Sequence, residues 1–115
     1  MIPVYAQLRV GAIADLLDPL TGGPWEVGIR PSPYDGSPAL FVVADDLELA
    51  SSAVVAGEHL LRGRVDPDRA ADLLGLLSAQ LTGAGVPHRL ELYDAFDDPA
   101  GYWHHRWPEG EPFPG

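Results

Sequence analysis

Apolar residues recur at Ala70, Leu73, Leu74, Leu77, Leu81 and Ala84. That is the spacing of one buried helical face, and it predicts a helix opening at Asp66-Pro67. Asp66 is the expected N-cap and Pro67 the first helical residue, because proline lacks the N–H that a helix start leaves unused. Gly83 and Gly85 predict the end, since glycine enters the left-handed cap conformation without steric cost. From Val86 to Asp94 the period drops to two: Val86, His88, Leu90 and Leu92 fall on one face, Arg89, Glu91 and Tyr93 on the other. The same alternation predicts a strand over Pro3–Val10, with Val4, Ala6, Leu8 and Val10 opposite Tyr5, Gln7 and Arg9.

Between these segments Ile13, Leu16, Leu17 and Leu20 predict a short helix that breaks at Asp18-Pro19 or just beyond. A turn over Thr21–Pro24 leads to a strand over Trp25–Arg30, with Trp25, Val27 and Ile29 facing inward. Pro31–Pro38 carries a Tyr34-Asp35-Gly36 turn signal and reads as a loop, and the apolar run Ala39–Ala44 as a buried central strand. Leu47–Val65 satisfies two patterns. As a helix it has Asp45 as N-cap, Glu48 completing a capping box, and Gly63 as its stop. Leu47, Ala50, Val54, Gly57 and Leu61 then form the buried face. As strands, Ala53–Ala56 and Leu60–Val65 form a hairpin turning near Gly57-Glu58. The capping box favours the helix, against the strand preference of Val54-Val55 and the central Gly57. Residues 95–115, rich in Pro, Gly and aromatic side chains, show no usable period. The chain therefore divides into an α+β domain over 1–98 and a C-terminal tail over 99–115.

The order of predicted elements resembles ferredoxin-like folds: a split β-α-β sandwich of four or five mainly antiparallel strands with helices on one face. A fold pattern of this kind is shared by unrelated functions and transfers none of them.

Charge changes the picture more than composition does. The formal net charge is −10, and all seven basic residues are arginine. Without lysine there is no Schiff-base or P-loop amine, and without cysteine no disulfide, thiolate ligand or thiol nucleophile. Such a chain repels phosphate backbones and anionic membrane surfaces, and attracts basic proteins. It contains no apolar run long enough to span a bilayer and no basic-then-apolar leader, so a cytoplasmic location is the expectation.

Three clusters carry candidate chemistry. The outward positions of the strands gather Tyr5, Arg9, Arg30, Arg89 and Tyr93, a recognition face for a carboxylate-bearing ligand or a protein, since arginine makes forked contacts. Asp94, Asp97, Asp98, His104 and His105 have the donor chemistry of a divalent metal site. Asp94, His104 and His105 are its candidate ligands, although adjacent histidines on an extended strand point apart. Tyr102, Trp103, Trp107 and Phe113 form an aromatic tail in which Trp103 and Trp107 share one face of a helical turn, as anchors for a partner or for packing on the sheet.

No Gly-x-Ser-x-Gly setting surrounds Ser51, Ser52 or Ser78, and His59 has no acidic orienter near it in sequence. The expectation is a small acidic, non-enzymatic protein-binding domain with no cofactor and a basic protein partner. In size and charge alone it resembles the bacterial immunity proteins that neutralise basic toxins, and no motif carries residue roles across. The competing reading is a dimeric α+β ligand-binding domain or enzyme, with a site of His88, Asp94, His104 and His105 between sheet face and tail. A third is a structural subunit self-associating through the tail tryptophans.

Overall fold

The computed structural model describes residues 1–32, 36–55 and 58–107, with only the backbone at 52–55. Seven strands form one antiparallel sheet: β1 (Ile2–Arg9), β2 (Glu26–Pro31), β3 (Pro38–Ala44), β4 (Leu47–Val55), β5 (Glu58–Val65), β6 (His88–Tyr93) and β7 (Pro99–His105). Their order across the sheet is β2-β3-β4-β5-β1-β6-β7. A 3₁₀ turn over Ile13–Leu16 runs into the short helix α1 (Leu17–Leu20), and α2 (Ala70–Gly83) joins β5 to β6 across β1.

This is not the expected ferredoxin-like sandwich of four or five strands. Two segments account for the difference. Leu47–Val65 is the β4–β5 hairpin and not a helix, registered from Leu47↔Val65 to Val55↔Glu58 with a bulge at Ser51/Ala53. Sheet pairing on both sides outweighs the local capping box at Asp45 and Glu48, whose segment becomes the β3–β4 turn and the start of β4. The tail, expected to be irregular, contributes β7, which pairs with β6 from His88↔His105 to Tyr93↔Pro99. The Tyr34-Asp35 part of the predicted turn, the hairpin tip at Gly57 and the tail aromatic Phe113 lie outside the described residues.

The two faces of the sheet differ in kind. On one, Val4, Ala6, Leu8, Leu40, Val42, Leu47, Leu49, Leu61, Val65, Leu90 and Leu92 are buried against Leu16, Leu20 and the α2 stripe Ala70, Leu73, Leu74, Leu77 and Leu81. Trp25 precedes β2 and is fixed there by its indole N–H, which donates to the Leu20 carbonyl at 2.8 Å. Regular helix in α2 begins later than Pro67, at Ala70. Asp66 does accept an N–H, but from Asp68 (2.9 Å), and shapes the turn before the helix. The helix ends in a Schellman arrangement. Gly85 sits at φ 72°, its N–H donates to the Thr82 carbonyl, and the Val86 N–H reaches the Leu81 carbonyl at 2.9 Å. Ala84, expected on the buried face, is exposed there.

Gly63 lies on the helix-covered face opposite Val4 and Leu49, where a Cβ would run into the Glu48 carbonyl of the neighbouring strand. Backbone cannot move aside as a flexible side chain would. Gly63→Ala is expected to lower unfolding free energy by about 1–3 kcal/mol or more, read as a fall in the urea midpoint without loss of slope.

Candidate functional site

Strand alternation assigns the polar positions of β1, β5 and β6 to the face that no helix covers. Arg89 stands opposite Gln7, and Arg9 opposite Glu58. Their side chains form a continuous chain across three strands. Arg89 donates from Nε and Nη2 to Gln7 Oε1 at 3.0 and 2.8 Å. The Gln7 amide donates in turn to Glu58 Oε1 at 2.9 Å, and the other Glu58 oxygen pairs with Arg9 Nε. Arg89 also lies 3.8 Å from Glu91. A guanidinium at this position would ordinarily be solvated, yet Arg89 is only 1% exposed.

Trp107 is the cause. Beyond β7 the chain turns at Arg106, a non-glycine residue at φ 53°, and Trp107 is buried over the open face. Its ring lies 4.2 Å from the Arg9 guanidinium carbon and 5.5 Å from that of Arg89, so both cations sit against one indole. Beside this core, Tyr5 and Tyr93 meet edge to face at 5.6 Å and Arg62 lies over the Tyr5 ring. The Tyr93 hydroxyl donates to Glu91 at 2.6 Å. That hydrogen bond, with burial adding to it, raises the Tyr93 hydroxyl to a pKa of about 12.

The structure thus brings together Tyr5, Arg9, Arg89, Tyr93 and Trp107 of the predicted recognition residues. It does not bring Arg30 or Trp103 to them. Arg30 shares the face but sits on β2, four strands from β1, over the Phe41 ring. Trp103 points to the helix side, against the core and near Gly75, because β7 is extended. Trp103 and Trp107 therefore lie on opposite faces and do not share one side of a helical turn. Arg62 and Arg64 join Arg9, Arg30 and Arg89 on the open face, since Leu47–Val65 is a hairpin.

The His and Asp groups are dispersed. His88 is buried on the helix side, its Nδ1 2.9 Å from the Val86 carbonyl and its Nε2 2.7 Å from Ser78 Oγ. The carbonyl requires Nδ1 to carry the proton, so Ser78 donates to Nε2. Burial holds the His88 pKa below its usual value, with His105 and His104 adding to the effect. His105 lies on the same side, its ring centroid 6.1 Å from that of His88, whereas His104 stacks on Tyr102 (5.1 Å) on the open face. His88, Asp94, His104 and His105 therefore do not line one site. Among the described residues no cluster of three or more His, Asp or Glu is arranged to hold a metal ion.

Asp94 has a different task. Its Oδ1 accepts the N–H groups of Phe96 (2.8 Å) and Asp98 (3.0 Å), while its own N–H donates to the Asp98 carbonyl. With Asp97 at φ 62°, this turn holds the Phe96 ring 85% exposed. Three acidic segments lie at the same end of the strands. They are the β3–β4 turn with Asp45 and Asp46, the β5–α2 turn with Asp66 and Asp68 continued by Asp72 in the first turn of α2, and the β6–β7 turn with Asp94, Asp97 and Asp98. Within this rim Arg69 approaches Asp46 at 3.9 Å. From β4 to β6 the rim spans three strand spacings, roughly 14 Å. Asp94, Asp97 and Asp98, expected from the sequence as metal donors, instead flank Phe96, to which no role is assigned from the sequence. The signal was the aromatic residue enclosed by Asp94 and Asp97.

No family model matches this chain, and no curated protein or solved structure is detectably similar to it.

Trp107→Ala uncovers Arg89 and deletes a buried indole, so it is expected to cost about 3 kcal/mol of stability in urea denaturation. His88 titrates in the opposite sense to a salt-bridged histidine. Its folded pKa lies below 6.5, so its contribution to stability is complete above pH 6.5. Below that pH the contribution is lost, as the unfolded chain takes up a proton that the folded one refuses. The urea midpoint should fall between pH 7.5 and pH 5, and His88→Gln should flatten that part of the profile.

Proposed function

We propose that this protein is a non-enzymatic binding domain that engages a basic protein partner along the aspartate rim, with Phe96 as its anchor. The observation that carries this reading is the Phe96 turn. An aromatic ring left in water costs solvation free energy, yet here a carboxylate and a strained backbone residue are arranged to hold it out. Aromatic side chains are the usual anchors of protein interfaces. Carboxylates on both sides of the ring select a positively charged rim on the partner, raise the association rate and disfavour acidic competitors. The partner this chemistry fits has an apolar pocket bordered by lysine or arginine.

The Ser78–His88 pair supports the non-enzymatic side of the reading. Its tautomer would suit a general base, but both residues are buried between α2 and β6 with their hydrogen bonds directed at each other and at the backbone.

The test is capture from a lysate of the source organism on immobilised wild type, Phe96→Ala and Asp97→Asn/Asp98→Asn, each eluted with a salt gradient. Asn tolerates the left-handed conformation at position 97, so the turn is retained. A basic protein should leave the wild type at moderate salt. It should bind the Phe96 variant about 30-fold more weakly, the loss of one hot-spot aromatic being ~2 kcal/mol. The double Asn variant should release it at lower salt. A partner that both variants hold as tightly as the wild type does, or one that is acidic, removes this reading.

A further inference from the structure

Strand β2 lies at the edge of the sheet, hydrogen-bonded to β3 on one side only. Antiparallel pairing fixes which of its backbone groups face outward. The Ser32 N–H donates to the Ser37 carbonyl at 2.7 Å, so the hydrogen-bonded pairs with β3 are Arg30↔Ala39, Gly28↔Phe41 and Glu26↔Val43. The N–H and C=O groups of Val27 and Ile29 therefore point away from the sheet, whereas Pro31 offers a carbonyl and no donor.

We propose that β2 pairs antiparallel with β2 of a second copy of this chain about a twofold axis at Gly28, giving a continuous fourteen-stranded sheet. In that register Val27 of each copy faces Ile29 of the other, and each pair exchanges two N–H···O bonds. Glu26 of each copy faces Arg30 of the other on the open face, and Gly28 meets Gly28 on the axis.

The chemistry of the strand and its surroundings selects this occupant. Glu26 and Arg30 are the only charges on β2 and are exposed, and neither forms an ion pair within its own chain among the described residues. Separated by four positions, they become mutual partners only when the strand pairs with itself in this register. The even registers to either side place each of them against an uncharged residue. Ile29 leaves 37% of its surface exposed on the helix side, where Val27 of the second copy would cover it. A cavity of about 360 Å³ runs along the strand, lined in part by Trp25, Glu26, Arg30, Phe41 and Val43, and leaves room for the incoming side chains. The charges of the strand sum to zero, so two copies of a chain with net charge −10 meet here without local repulsion. Pro31 limits the length of the paired segment, and the twofold contact uses the β2 edge of both copies, so the pairing closes as a dimer.

Charge reversal separates this arrangement from any other dimer. Sedimentation equilibrium of the full chain should show a monomer–dimer equilibrium for the wild type. Glu26→Arg alone and Arg30→Glu alone should each raise the dissociation constant at least about tenfold, because each turns two attractions across the axis into two repulsions. The doubly reversed chain, Glu26→Arg/Arg30→Glu, should recover the dimer. An equimolar mixture of the two single variants should form a heterodimer tighter than either homodimer, because every charge then faces its opposite. Both positions are exposed, so at concentrations well below the dissociation constant, where every chain is monomeric, thermal unfolding of each variant should match the wild type and exclude misfolding as the cause. A wild type that stays monomeric to millimolar concentration, or a dimer whose mass the single reversals leave unchanged, overturns the proposal. So does failure of the mixed variants to associate. None of these outcomes bears on the rim, which lies at the ends of the strands and not along this edge.

Discussion

Strand β1 is hydrogen-bonded along both edges, to β5 and to β6, and the crossover through α2 passes over it. A strand so enclosed cannot slip by one residue without exchanging its two faces. Val4, Ala6 and Leu8 must therefore lie beneath the helices while Tyr5, Gln7 and Arg9 lie away from them. The register passes this division outward through β5 to β4 and through β6 to β7. The two helices are short and cover one side only, so the sheet has one face built as a core and another that has to be stabilised by different means.

On that second face the means is a charge-balanced network under an aromatic cover. Two arginines and two glutamates surround Gln7, whose amide both accepts from Arg89 and donates to Glu58. Removing such charges from water is costly, and a buried pair is seldom a large net gain in stability. What the arrangement supplies is uniqueness. Arg89, Gln7 and Glu58 satisfy one another only in the native register, and Trp107 fits over them only when they do. Trp107 thereby acquires a fixed place on the face that no helix covers.

Much of this was legible from residue order, because periodicity reports burial directly. The alternation in Val4–Arg9 and in His88–Tyr93, and the stripe Leu73, Leu74, Leu77 and Leu81, are each imposed by one neighbouring surface and survive in the structure. Leu47–Val65 misled for the opposite reason. Asp45 and Glu48 are a correct local helix signal, outweighed by pairing partners that local sequence does not reveal. The tail misled because its strand alternates Tyr102, Trp103, His104 and His105, and bulky residues of that kind do not divide into apolar and polar faces. Alternation places Arg89 on the outward recognition face and gives no sign of its burial, because its cover comes from Trp107, eighteen residues away in the chain and visible only after folding.

The distribution of charge has a mechanical meaning. Among the described residues five arginines and four glutamates share the open face, while eight aspartates with a single arginine, Arg69, occupy one end of the strands. A molecule charged in this way carries its negative charge unevenly, gathered at one end of the strands. In the field of another protein it experiences a torque before it experiences contact, and tumbling is biased toward presenting that end to a cationic surface and withdrawing it from an anionic one. The rotational search that ordinarily slows association by orders of magnitude is thus shortened while the two molecules are still separated by water.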